Sequence, residues 1–94
     1  MKSDTKSKLN KIFNFYGRKG QEYKLIEEMA ELTQAIIKND RENIIEEMAD
    51  VQNILLQLRL NFNSNERKQF AETFNKKIER QLNRIESEKI QLQR

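Results

Sequence analysis

Lys24-Leu-Ile-Glu-Glu-Met-Ala-Glu-Leu-Thr-Gln-Ala-Ile36 is followed, at an offset of nineteen residues, by Asn43-Ile-Ile-Glu-Glu-Met-Ala-Asp-Val-Gln-Asn-Ile-Leu55. The five residues Ile26 to Ala30 recur unchanged as Ile45 to Ala49, and Glu31 is matched by Asp50. Each copy carries apolar residues at helical spacing, so each reads as one amphipathic helix. Each copy also places two carboxylates three residues apart, Glu28 with Glu31 and Glu47 with Asp50, on one helix face. At about 100° per residue these carboxylates border the apolar stripe rather than oppose it. Leu25, Met29 and Leu32 flank Glu28, while Ile44, Met48 and Val51 flank Glu47. The carboxylates therefore point toward the seam between helices, where an uncompensated charge is costly. Met29 and Met48 read as core fillers.

The link between the copies is short. Asn39-Asp40 leaves no room for a crossover, so the two helices form an antiparallel pair. Positions 31 and 47 share the midpoint 39, and so do positions 28 and 50. Glu31 is thus expected level with Glu47, and Glu28 level with Asp50. With a rise of about 1.5 Å per residue and helix axes about 8–10 Å apart, the four carboxylates converge within ~10 Å. Such a cluster repels itself unless protons or cations neutralise it. Ligands that are all oxygen select a hard cation, Mg²⁺ or Mn²⁺, before zinc or copper. Glu27 and Glu46 rotate further from the stripe and read as exposed.

Around this pair the chain reads as four helices. The first spans roughly Lys6 to Tyr16, with Leu9, Ile12, Phe13 and Tyr16 on one side, capped by Ser3, Asp4 or Thr5 and stopped at Gly17. The second runs from about Gln21 to Lys38 and the third from about Arg41 to Phe62, with Asp40 as its cap. Asn63 and Glu66 have the spacing of a capping box ahead of a fourth helix that starts near Asn65. Phe70, Phe74, Ile78, Leu82, Ile85 and Leu92 mark one long stripe along it.

The composition agrees. The 94 residues hold no proline, no cysteine, no histidine and only two glycines, with 36% hydrophobic and 35% charged residues. Sheets need more turn residues and more β-branched runs, so the fold class is all-α and the chain is one domain over residues 1–94. Imidazole and thiol nucleophiles, Cys/His zinc sites and disulfides are excluded. A ferritin-like di-iron site is poorly supported on the same ground, since it wants Glu-x-x-His. No apolar stretch is long enough for a membrane span or signal peptide, which makes a cytoplasmic protein the default. At this length a single core is thin, so oligomerisation is expected to complete the bundle.

The net charge of +3 hides a pattern. Residues 1–24 balance at +5, residues 25–60 at −5 and residues 61–94 at +3. An acidic centre between basic arms suits a cation site with side chains nearby to hold a polyanion. A nucleic-acid partner is disfavoured, because its acidic cluster would lie in the best-ordered segment.

Glu27-Glu28-x-x-Glu31 and Glu47-x-x-Asp50 together resemble the signature of the MazG-like all-α nucleoside triphosphate pyrophosphohydrolases. Phe15-Tyr16-Gly17 and Gln21 before the first motif, and Arg80-Gln-Leu-x-Arg84-Ile after the second, extend the resemblance over most of the chain. It implies a four-helix MazG-like bundle assembled as a homodimer or homotetramer. It also implies Mg²⁺ (Mn²⁺ as substitute) held by Glu28, Glu31, Glu47 and Asp50, and cleavage between the α- and β-phosphates to a nucleoside monophosphate and pyrophosphate.

That chemistry fits the residues present. Metal ions neutralise phosphate charge and acidify water, and a carboxylate can take the proton, so no histidine is required. Glu31 is the first choice for the base and Glu28 the second. Lys77, Arg80 and Arg84, at helical spacing, are candidates for phosphate contact. Gln21 and Asn53 are candidates for hydrogen bonds to base or sugar, and Phe13 or Tyr16 for stacking. The alternatives are a small basic helical interaction module that pairs through its last helix or binds nucleic acid, and a nucleotide sensor that keeps the MazG-like fold and metal site with weak or lost catalysis.

Overall fold

The computed structural model describes residues 1–93. Within them the backbone forms three helices and no strand: α1 (Ser3–Ile37), α2 (Arg41–Leu60) and α3 (Ser64–Leu92). The first two expected helices are the two arms of α1. They are separated at Gly17, whose φ of 82° and ψ of 163° leave the helical region. A left-handed stop was the expectation there. The observed ψ is extended instead, so the helix is interrupted for one residue and resumes at once. A φ of this sign suits glycine, which lacks the Cβ that forbids it elsewhere. The start of α1 also differs. Lys2, not Ser3, Asp4 or Thr5, holds the cap position, and no side chain caps the helix.

The chain divides into two compact units, Met1–Asn61 and Phe62–Arg94. In the first, α1 and α2 pack as an antiparallel pair joined by a tight turn. Asn39 takes the positive φ of 53° that reverses the chain, and asparagine tolerates it. Asp40 accepts a hydrogen bond from the Asn43 N–H at 3.3 Å and so caps α2, as expected from sequence. The Ala35 and Gln34 carbonyls accept N–H groups of the turn, closing the end of α1.

The register follows the midpoint rule. Gln21 meets Gln57 across the pair, a hydrogen bond of 2.8 Å whose midpoint is again position 39. Asn61 reaches Asn10 at 3.4 Å, tying the end of α2 to the arm of α1 before Gly17.

The seam between the helices is unusual in content. The buried apolar residues are Leu9, Ala35, Ile44 and Ile54, and beside them lie four buried polar ones, Gln21, Glu28, Glu47 and Gln57. The repeated motif explains the imbalance. Each copy turns its second Glu inward and its Ile outward, 160° away at 100° per residue. Ile26 and Ile45 are accordingly 64% and 66% exposed. Met29 and Met48, expected as core fillers, are also more than half exposed, because they lie about a quarter turn from the buried Glu.

In the second unit α3 begins with the expected capping box. Asn63 accepts from the Glu66 N–H at 2.8 Å, and the Glu66 carboxylate accepts from the Asn63 N–H at 3.0 Å. Phe62, Phe70 and Phe74 form a chain of ring contacts at 5.9 and 6.1 Å. No residue of α3 is buried, and the stripe of Phe74, Ile78, Leu82 and Ile85 lies half open.

The break at Gly17 yields a direct test. A Cβ there would meet nothing within 4 Å, so any cost of Gly17→Ala is backbone strain alone. We expect a loss of about 1–2 kcal/mol in urea unfolding. A variant as stable as the parent would mean that φ is not held positive.

Candidate functional site

Glu28 on α1 and Glu47 and Asp50 on α2 each bring a carboxylate oxygen within 4.8 Å of the others. Glu28 and Glu47 are buried, and Asp50 is open to solvent. Glu28 uses Oε1 in an ion pair with Lys24 Nζ at 3.3 Å, and Lys24 also reaches Glu27 at 3.7 Å. The other oxygen, Oε2, is buried with no hydrogen-bond partner, and so is Oε2 of Glu47. Two buried acceptors without donors form an expensive arrangement, and a proton or a cation relieves it.

The charges behave accordingly. Burial pushes the Glu47 carboxyl up, and its hydrogen bond to Glu28 and the charge of Glu31 push it further, to about 7. Burial acts in the same sense on Glu28, but the hydrogen bonds from Lys24 and Glu47 outweigh it and hold Glu28 below the usual range. The two carboxyls are thus pushed in opposite directions, Glu28 down and Glu47 up. The Lys24 ammonium is held above its ordinary value, first by Glu28 and then by Glu27. Two buried carboxyls placed together without donors mark a place where a divalent cation would gain most, since it supplies two positive charges to both at once.

Of the four carboxylates expected as ligands, three form the tight group. Glu31 stands outside it and exposed, yet close enough to act on both Glu28 and Glu47. The donor set is all oxygen, which suits Mg²⁺ or Mn²⁺. The two donorless oxygens are the feature of the structure that fits such an ion.

A cavity of about 390 Å³ opens beside the cluster. Glu28 and Asp50 form one part of its wall, Gln21, Asn53 and Gln57 another, and Ile12, Tyr16 and Ile54 supply apolar surface. Gln21 and Asn53 therefore stand where a ligand of the acidic cluster would extend. Tyr16, expected against the core, is 62% exposed and lines the cavity, while Phe13 is only half-buried. Lys77, Arg80 and Arg84 lie exposed on α3, in the second unit.

Sequence reasoning missed two members of the site. Lys24 is one turn before Glu28, an i,i+4 pair that was visible in the sequence. Gln57 lies two turns beyond Asp50, and the midpoint rule applied to Gln21 leads to it directly.

Fold and cluster define a class: an all-helical protein with a cluster of carboxylates, two of them buried, beside a cavity lined by amides and apolar side chains. A family model described as the MazG nucleotide pyrophosphohydrolase domain matches residues 19–86, which hold both carboxylate motifs and most of α3. The chain belongs to the MazG family. No curated protein and no solved structure matches it.

The raised Glu47 carboxyl makes a prediction with a definite sign. The folded state binds this proton more tightly than the unfolded chain does, so its contribution to stability is full below pH 4.5 and is lost as pH rises through about 7. Glu28, shifted the other way, contributes above its ordinary value and loses that only in more acidic solution. Without divalent cations, stability should therefore fall between pH 5 and 8, and Glu47→Gln should flatten the fall. Urea unfolding at the two pH values measures it, and equal slopes for the two proteins would contradict the assignment.

Proposed function

We propose that the protein is a Mg²⁺-dependent nucleoside triphosphate pyrophosphohydrolase that cleaves between the α- and β-phosphates, giving a nucleoside monophosphate and pyrophosphate. The observation that carries this reading is the pair of donorless buried oxygens on Glu28 and Glu47, in a MazG chain whose Glu28 and Asp50 also line a cavity. Glu28, Glu31, Glu47 and Asp50 hold the cation, with Mn²⁺ as a substitute. Once bound, the ion neutralises charge on the phosphates and the leaving pyrophosphate and acidifies water.

The remaining work belongs to the side chains. Glu31, open to solvent beside the buried pair, takes the proton of the attacking water, with Glu28 as the second candidate. Lys24 neutralises Glu28 from the side opposite the donorless oxygen and keeps it ionised. Gln21 and Asn53 receive the nucleoside in the cavity. Lys77, Arg80 and Arg84, within about 60° of arc on α3, supply cations for the phosphates.

A homodimer or homotetramer completes the fold. With four buried apolar residues in the chain, and Ile26, Ile45 and the α3 stripe open, one copy leaves too much apolar surface in water. No helix among the described residues is long and apolar enough to cross a membrane, and cytoplasmic nucleotides are the substrate pool this reading assigns.

Two measurements test it. Glu47→Gln and Asp50→Asn should each lower pyrophosphate release more than about a hundredfold while the helical circular dichroism survives. Full activity in both variants would defeat the assignment. Light scattering at micromolar concentration should return a dimer mass or larger, and a monomer mass would count against the assembly.

A further inference from the structure

Gln57 is 2% exposed, the largest side chain in the chain to be so enclosed, and it is an amide at a position where a leucine would pack more cheaply. It spends both ends of that amide. Its Oε1 accepts from Gln21 Nε2 at 2.8 Å, and its Nε2 donates to Asn53 Oδ1 at 2.6 Å. Its own backbone carbonyl accepts from Asn61 Nδ2 at 2.8 Å, which anchors the residue in α2. The three linked amides, Gln21, Gln57 and Asn53, all line the cavity beside Glu28 and Asp50.

A row of three amides joined in this way has a polarity. Each bond uses one donor and one acceptor, so the two ends always differ. Here Gln21 has spent its N–H₂ group and Asn53 its carbonyl. Gln21 Oε1 and Asn53 Nδ2 make no hydrogen bond to any described residue. One acceptor and one donor are thus left at the cavity wall, and Gln57 alone decides that they are unlike.

We propose that Gln57 is the positioning residue of a nucleobase-reading edge, holding Gln21 and Asn53 as an acceptor–donor pair for the hydrogen-bonding edge of the base. This rests on the nucleotide reading above and adds the part of the substrate that this wall of the cavity selects. Gln57 need not touch the base. It acts by denying Gln21 and Asn53 the freedom to rotate their amides independently.

The test replaces the centre of the row. A carboxylate at position 57 accepts from both neighbours, so in Gln57→Glu both Gln21 and Asn53 must donate inward and offer carbonyls to the cavity. Two acceptors match a base edge that carries two adjacent donors, the N1–H and 2-amino group of guanine. Guanosine and inosine nucleotides differ in that 2-amino group alone. Gln57→Glu should therefore raise the guanosine-over-inosine ratio on the order of tenfold, the worth of one hydrogen bond to a buried partner. Asn53→Asp, at an exposed position that folding tolerates, also turns the outward donor into an acceptor and should move the ratio the same way.

The ratio is read twice, from kcat/KM for GTP and ITP with Mg²⁺ and from equilibrium binding of GMP and IMP. A purely structural Gln57 would lower both nucleotides by the same factor. A ratio within twofold of the parent in folded Gln57→Glu and Asn53→Asp overturns the proposal. Base-selective binding without turnover overturns the hydrolase reading but leaves the row of amides standing, whereas no nucleotide binding by the parent protein overturns both.

Discussion

Two carboxyl groups that cannot both be charged sit at the centre of this molecule. Glu28 and Glu47 face each other across the α1–α2 seam, each with one oxygen buried and without a donor. In such a place lost hydration and Coulomb repulsion act together, and they push the Glu47 carboxyl up to about 7. A hydrophobic seam of the same shape would be more stable. The chain keeps a site that costs stability in the absence of its cation, as functional sites commonly do.

The cost is met by geometry elsewhere in the same pair. Lys24 neutralises one carboxylate from a neighbouring turn of its own helix. Asp40 and Asn39 set the turn, and Gln21 with Gln57 locks the register two turns from the acidic cluster. A slip of one residue would rotate Glu47 by about 100° out of the seam. The amide contact and the carboxylate contact share one midpoint, so they specify the same register and reinforce one another. The duplicated motif has a second consequence. It turns Ile26 and Ile45 outward on both helices at once, which gives the pair an acidic seam and an apolar outer surface.

Much of this was legible in the sequence because it rests on periodicity and on a short link. The helices, the cap at Asp40, the capping box at Asn63 and the level placement of Glu28 with Asp50 follow from spacing alone. What spacing does not carry is the difference between bordering a stripe and being buried in it. Met29 and Met48 look like core residues by hydrophobicity, yet the carboxylates took the inward position and left them outside. Glu31 has the spacing of a ligand, but its rotation about α1 leaves it beside the tight group. Gly17 was read as a stop because positive φ commonly ends a helix. Only the backbone shows that the next turn resumes. Lys24 and Gln57 have no periodic signature of their own, but each was within reach: Lys24 by its i,i+4 spacing to Glu28 on the same helix, and Gln57 by the midpoint rule once Gln21 is set against it.

The claim on which the rest depends is that the buried carboxylates of Glu28 and Glu47, with Asp50, hold a divalent cation. Mn²⁺ binding followed by its electron paramagnetic resonance at pH 7.5 tests this with no assumption about substrate. Saturable binding that Mg²⁺ displaces, and that Asp50→Asn weakens without loss of helix, is the predicted result. An Mn²⁺ signal indistinguishable from that of the free ion, with the protein folded and in excess, would contradict it.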